Sequence, residues 1–141
     1  MRHWSGFAAF ALLLIVGLFT LACGSTRTLK SVTVSPAIAT QSSPSGVQFS
    51  ATGVFSGTST PQPLTSKDIT WCAGVLVSGG GGACAGNINP GATVDQNGVA
   101  QCLSGFSGTV TILAGKLESG MVIVDGPRPM SVFGSAQLTC P

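Results

Sequence analysis

The residues of this chain able to do covalent, acid–base or metal chemistry are few. It has five cysteines, four carboxylates and one histidine. The histidine, His3, stands between Arg2 and an apolar run from Phe7 to Ala22. A basic start, an apolar stretch and a small residue ahead of a cut site make a secretory signal. Once that segment is removed, no Ser-His or Cys-His arrangement remains for nucleophilic catalysis. Asp68, Asp95, Glu118 and Asp125 are far apart in sequence and sit in no recognisable acid–base motif. Gly79 to Gly82 lacks the Lys-Ser/Thr and helix that complete a phosphate loop. Asp95-Gln96-Asn97-Gly98 has too few oxygen ligands for an EF-hand and reads better as a turn. Catalytic, cofactor-binding and metal-binding residues are therefore all expected to be none. What remains is thiol chemistry. Cys72, Cys84, Cys102 and Cys140 are an even set, and export would carry them into an oxidising space. Zinc is the competing use. No two of them stand at the short spacing that zinc ligands favour, and the exported part has no histidine. Disulfides are the expectation, and the four cysteines permit three pairings.

The fifth cysteine, Cys23, follows the apolar run directly. Phe19-Thr20-Leu21-Ala22-Cys23 resembles the lipobox of bacterial lipoproteins, in which the cysteine is lipidated and becomes the mature N-terminus. Thr20 departs from the usual Leu. An uncleaved membrane anchor is the alternative, but Phe7 to Ala22 is shorter than the roughly 20 apolar residues a spanning helix wants. Only Arg27 and Lys30 follow it, with no basic stop-transfer cluster. The resemblance implies a signal peptide over residues 1–22 and a lipidated N-terminus and linker over 23–28. It also implies membrane attachment through the lipid on Cys23, on the exported side of a bacterial envelope. Several acyl chains on that residue would supply the two hydrophobic signals that stable anchoring needs. In a host with two membranes, Gly24 in place of an Asp retention signal points to the outer membrane.

Residues 29–141 have the length of one ordinary domain. Only 7% of the chain is charged and its net charge is +2, without a basic stripe, so no nucleic-acid partner is expected. The hydrophobic pattern has the period of two of half-buried strands. Val32 and Val34 alternate with polar neighbours up to Pro36. Val47, Phe49 and Ala51 do the same in a run that continues to Val54-Phe55, where Gly53 suggests a bend or bulge. Ser56 to Pro63 reads as a loop, and Ile69 with Trp71 as a strand. Trp71 could serve a sugar as an exposed aromatic, but its alternation with Ile69 places it in the core. Ala73 to Pro90 reads as irregular, with Gly79 to Gly82 as a flexible tip and turn chemistry from Asn87 to Gly91. Asn97-Gly98 between alternating flanks signals a hairpin. Thr109 to Ala114 is a strand with Val110 and Ile112 inward, and Met121 to Val124 a possible extended stretch. Pro127 and Pro129 break the chain before a terminal strand over Ser131 to Thr139, with Val132 and Leu138 inward. No helical period occurs after the signal, so the expected class is an all-β sandwich or barrel.

The succession of these fragments resembles a known family. Val32-Thr33-Val34-Ser35-Pro36 is followed by Val47-Gln48-Phe49-Ser50-Ala51-Thr52-Gly53 and by Asp68-Ile69-Thr70-Trp71. Then come Ala92-Thr93-Val94-Asp95 with Asn97-Gly98-Val99, and Gly108-Thr109-Val110-Thr111-Ile112. In this order they resemble the bacterial immunoglobulin-like domain, group 2 (Big2), over about Leu29 to Gly115, with residues 131–139 as the last strand. The resemblance implies an immunoglobulin-like β-sandwich of about seven strands with Phe49, Trp71, Val110 and Ile112 in its core. In such a sandwich the strand of Val110 and the last strand run antiparallel, which brings Cys140 near Cys102 and leaves Cys72 for Cys84. The long segment from Ala73 to Gly91 and the four cysteines are departures from the family pattern. Big2 domains serve in adhesins and as spacers. The resemblance thus implies a non-enzymatic module for an envelope or cell-surface protein or glycan, with a ligand-free spacer as the alternative. One copy of the module rather than a tandem array leans towards binding or towards an accessory subunit.

Overall fold

The computed structural model describes residues 27–86, 90–119 and 126–141. The signal segment, Cys23, most of the linker, Asn87 and Met121 to Val124 lie outside the described residues. The described residues are all-β and contain no helix. The first segments are β1 (Leu29–Ser35), β2 (Ile38–Thr40), β3 (Val47–Gln48), β4 (Ser50–Phe55) and β5 (Gln62–Pro63). There follow β6 (Thr70–Val77), β7 (Gly81–Cys84), β8 (Ala92–Val94) and β9 (Val99–Cys102). The long pair β10 (Gly108–Leu117) and β11 (Arg128–Cys140) ends the chain.

Three sheets share the core. One has the order β1-β4-β5 and a second β3-β9-β8; the third runs β10-β6-β7-β11-β2. All pairings are antiparallel except β2 on β11. Alternation explains what each strand buries. β10 turns Val110, Ile112 and Ala114 to the main core, and β11 turns Ala136, Leu138 and Cys140 to it. β1 buries Leu29 as well as Val32 and Val34, although Leu29 is out of step. A register shift between Leu29 and Ser31 resets the period, as a bulge does. Between these faces lie Phe49, Ile69 and Trp71, with Phe49 and Ile112 sealed from solvent altogether.

The third sheet also closes on itself. β6 pairs with β10 and β7, and β11 pairs with the same two strands, so β10-β6-β7-β11 form a ring of hydrogen-bonded neighbours. Side chains on the other face of these strands make a second, small cluster of Cys84, Leu113 and Met130, flanked by Cys72, Leu117 and Phe133. The Phe133 ring lies where a side chain on Gly82 would be, 2.8 Å from the position of its Cβ. Only glycine lets the ring draw together there.

Four expectations need correction. Seven of the eleven segments are those read from the period: β1, β4, β6, β8, β9, β10 and β11. The additional ones are short edge pieces (β2 and β5), a split and a missed strand. The split falls at Phe49: β3 pairs with β9, β4 pairs with β1, and the single strand expected from Val47 to Phe55 changes sheets there. The missed strand is β7. The stretch from Ala73 is not irregular but continues β6 to Val77, turns at Ser78–Gly80 and returns as β7, so Gly81 and Gly82 belong to a strand rather than a flexible tip. Gly53 makes no bend either: Leu29 and Leu64 pack into the space its missing side chain leaves. Pro129, finally, lies inside β11, opposite Ala83.

Candidate functional site: two disulfides, a polar cleft and an apolar ribbon

The four cysteines lie in two places in this fold. Cys102 ends β9 and Cys140 ends β11; they are joined, with Cα atoms 5.8 Å apart. The antiparallel register sets Cys140 opposite Gly108, at the start of β10. Gln41 reinforces the junction. Its backbone N–H donates to the Thr139 carbonyl at 3.0 Å, and its side-chain Oε1 accepts from the Cys102 N–H at 2.7 Å. Sequence pattern gave no hint of this role for Gln41, because it depends on a residue far along the chain. Cys72 and Cys84 are joined across the β6–β7 hairpin with Cα atoms 5.6 Å apart. This bond walls the small cluster around Leu113, which is fully buried.

The other candidate residues are interior. Phe49, Trp71, Val110 and Ile112 all belong to the main core. Trp71 is 5% exposed, so its ring offers almost no face to a ligand. It nevertheless floors a cleft of about 320 Å³ between β3, the start of β4 and two turns. Gln48, Ser50, Thr65, Ser66, Gln96 and Asn97 line the rim. Ala51, Pro63 and Leu64 complete the lining, so uncharged amide and hydroxyl groups stand beside apolar surface, a chemistry suited to an uncharged ligand with both polar and apolar parts. Gln48 is held in place there, its Nε2 donating to the carbonyls of Phe49 and Asn97 at 2.6 and 2.8 Å.

Two carboxylates shape the turns that frame this cleft. Asp95 Oδ1 accepts from the N–H groups of Asn97 and Val99, both at 2.8 Å, and closes the β8–β9 hairpin. Gly98 takes the left-handed conformation at φ 83° that such a three-residue loop requires. Asp68 Oδ2 accepts from the Thr65 hydroxyl at 2.7 Å and the Thr65 N–H at 2.9 Å. The hydroxyl bond, then the backbone bond, holds its carboxyl below the ordinary 3.8, with a smaller contribution from Lys67. Glu118 is exposed, and Asp125 lies outside the described residues. Among the described residues no charged side chain is buried, and no group of three His, Cys, Asp or Glu stands close enough to hold a metal.

The remaining surface feature is the β6–β7 ribbon. Val75, Leu76 and Val77 are about half exposed, unlike Trp71 and Ala73 earlier in the same strand, which are buried. The sequence pattern predicts an irregular segment here and assigns the three residues no part. Three consecutive aliphatics break the period of two, so the pattern had no face to assign. No protein-family model matches this chain, and no curated protein matches it either.

Proposed function

We propose that this chain is a non-enzymatic, membrane-anchored lipoprotein of a bacterial envelope that presents a single immunoglobulin-like module for binding a protein or glycan. The observation that carries the reading is the place of Cys23. It follows the apolar run directly and precedes, by only a few residues, an all-β domain with two joined cysteine pairs. Paired cysteines suit an exported domain, since cytosolic thiols are kept reduced. The alternation of sheets above a shared core supports the immunoglobulin-like sandwich. The scattered, turn-forming carboxylates support a role without catalysis.

For the ligand, the cleft floored by Trp71 supports binding over a spacer role. Its rim of Gln48, Ser50, Thr65, Ser66, Gln96 and Asn97 has the donors and acceptors that sugar hydroxyls or peptide amides match. Such a cleft sits where function commonly does, on loops fixed by a rigid scaffold.

Two experiments test this. Replacing Cys23 with Ser removes the acyl acceptor: the product loses acyl labelling and leaves the membrane fraction. A variant that stays membrane-bound like the wild type overturns the anchoring. For binding, the detergent-solubilised protein is passed over envelope extracts and glycan arrays. Saturable capture of one ligand, weakened by Asn97→Ala together with Ser66→Ala, is expected. Capture of nothing under any condition would make the module a spacer.

A further inference from the structure

The β6–β7 ribbon has an unusual surface for an exposed hairpin. Val75, Leu76 and Val77 are 47%, 57% and 46% exposed, and because neighbours on a strand alternate, both faces of the ribbon are aliphatic. β10 pairs with β6 only as far as Gly74, so it leaves this edge of β6 unpaired. Exposed edges are normally blunted by Lys, by Pro or by a bulge. No charged residue and no proline occurs from Ala73 to Gly86. Aliphatic surface in water is unfavourable by about 25 cal/mol per Å², so this ribbon favours an apolar neighbour.

The length of chain before the domain identifies that neighbour. This step rests on the reading of Cys23 as the lipidated residue. Gly24, Ser25 and Ser-adjacent Thr26 alone separate Cys23 from Arg27, where the described structure begins. Four peptide steps reach at most about 14 Å. On so short a tether the domain stays within about 14 Å of the bilayer surface, close enough for one face to touch the lipid. The tether and the ribbon also flank the same strand. β1 runs beside β11, with the Val32 carbonyl against Gly134 and the Ala37 carbonyl accepting from Gln137 N–H, so its first residues approach the early part of β11. In that part, Met130 pairs with Gly82, and Gly82 pairs with Leu76.

We infer that Val75, Leu76 and Val77 form a second membrane contact: the ribbon inserts shallowly at the headgroup–acyl boundary of the bilayer that holds the lipid of Cys23. The lipid sets the distance, and the ribbon sets the orientation. The polar cleft is then presented in one fixed direction instead of swinging on a flexible tether.

The test uses the full lipidated protein with isotope-labelled methyl groups, in nanodiscs of phosphatidylethanolamine and phosphatidylglycerol. Part of the lipid carries a nitroxide near the top of an acyl chain. The methyl signals of Val75, Leu76 and Val77 are expected to lose most of their intensity. Those of Ile38, 68% exposed on β2, are expected to keep theirs. Ribbon methyls that broaden no more than Ile38 overturn the inference. So does broadening that rises with protein concentration in unlabelled lipid, which would mean that a second copy covers the ribbon. The two readings fail separately. If Cys23→Ser leaves the protein in the membrane fraction, the anchoring fails. If Cys23→Ser releases it while the wild-type ribbon stays unbroadened, only the ribbon contact fails.

Discussion

The main core and the ring cluster lie on opposite faces of the same strands, yet they are built differently. The main core buries sixteen residues, among them Phe49, Trp71, Ile112 and Leu138, and draws them from all three sheets. The ring cluster buries Cys84, Leu113 and Met130, all from the third sheet. Each contains a disulfide, but the two bonds do different work. Cys102–Cys140 joins strands that burial already holds together. Cys72–Cys84 holds a hairpin whose outer part has lost its burial, since Val75 to Val77 are exposed. A covalent bond matters most where apolar area is scarce, as in small disulfide-rich domains. The difference predicts one globally cooperative region and one that opens locally.

The sharpest test is to empty the main core. Trp71→Ala or Phe49→Ala is expected to cost about 3–5 kcal/mol, read as a lower denaturant midpoint for every probe at once. A loss confined to one sheet would break the view of a single cooperative core. Next comes the disulfide in that core. Replacing Cys102 and Cys140 together by Ala removes a constraint spanning 38 residues. By loop entropy this costs about 4 kcal/mol, again for the whole domain. Replacing Cys72 and Cys84 together by Ala opens a span of 12 residues. The expected cost is about 3 kcal/mol, but with a different signature. Hydrogen exchange should accelerate in β6 and β7 first and leave β1 and β4 protected. Uniform acceleration would erase the distinction between the two regions.

Smaller effects sharpen it further. The triple change Val75→Ser, Leu76→Ser and Val77→Ser removes exposed side chains and should shift stability by only about 0.5 kcal/mol. A large loss would show that the ribbon contributes to folding rather than to an external contact. The smallest effect belongs to Asp68, which is exposed and tied to Thr65. Its folded pKa lies below the ordinary 3.8, so the stabilisation is fully present above that value and is lost as pH falls through the folded one. Asp68→Asn should lower stability slightly in the neutral range and leave the strongly acidic range unchanged, which flattens the acid limb of the profile. Solvent screening keeps the effect small.

The strands that β-alternation exposed to reading were those with one face in the main core. Val32 with Val34, and Val110 with Ile112, show a clean period because one side is apolar and the other polar. The second, inner face of the ring strands hid from the same reading. Leu113, fully buried, stands between Ile112 and Ala114, which are also fully buried, because β10 has an interior on both faces. Strands of that kind read as apolar runs, not as alternation. β7 was hidden for another reason: Gly81-Gly82-Ala83 carries almost no side-chain pattern, and its glycines serve close packing against Phe133 and Val77. The hairpin at Asn97-Gly98 was legible because its signal is local, in a glycine that takes the left-handed conformation directly after a turn-forming residue. The polar cleft was not. Its rim gathers Gln48, Thr65 and Asn97, which approach only when β3 and two turns are brought to one end of the core.

By itself the sequence determined the all-β class, the interior places of Phe49, Trp71, Val110 and Ile112, and a stock of thiols with no histidine beside them. These follow from side-chain type and from a period of two, properties that extend over a few residues. The tertiary structure alone decided that β10, β6, β7 and β11 close into a ring, that the chain changes sheets at Phe49, and that three aliphatic residues end up in solvent. Those outcomes depend on which distant strands compete for the same edges and on how closely glycine lets backbones approach, and no local pattern encodes either.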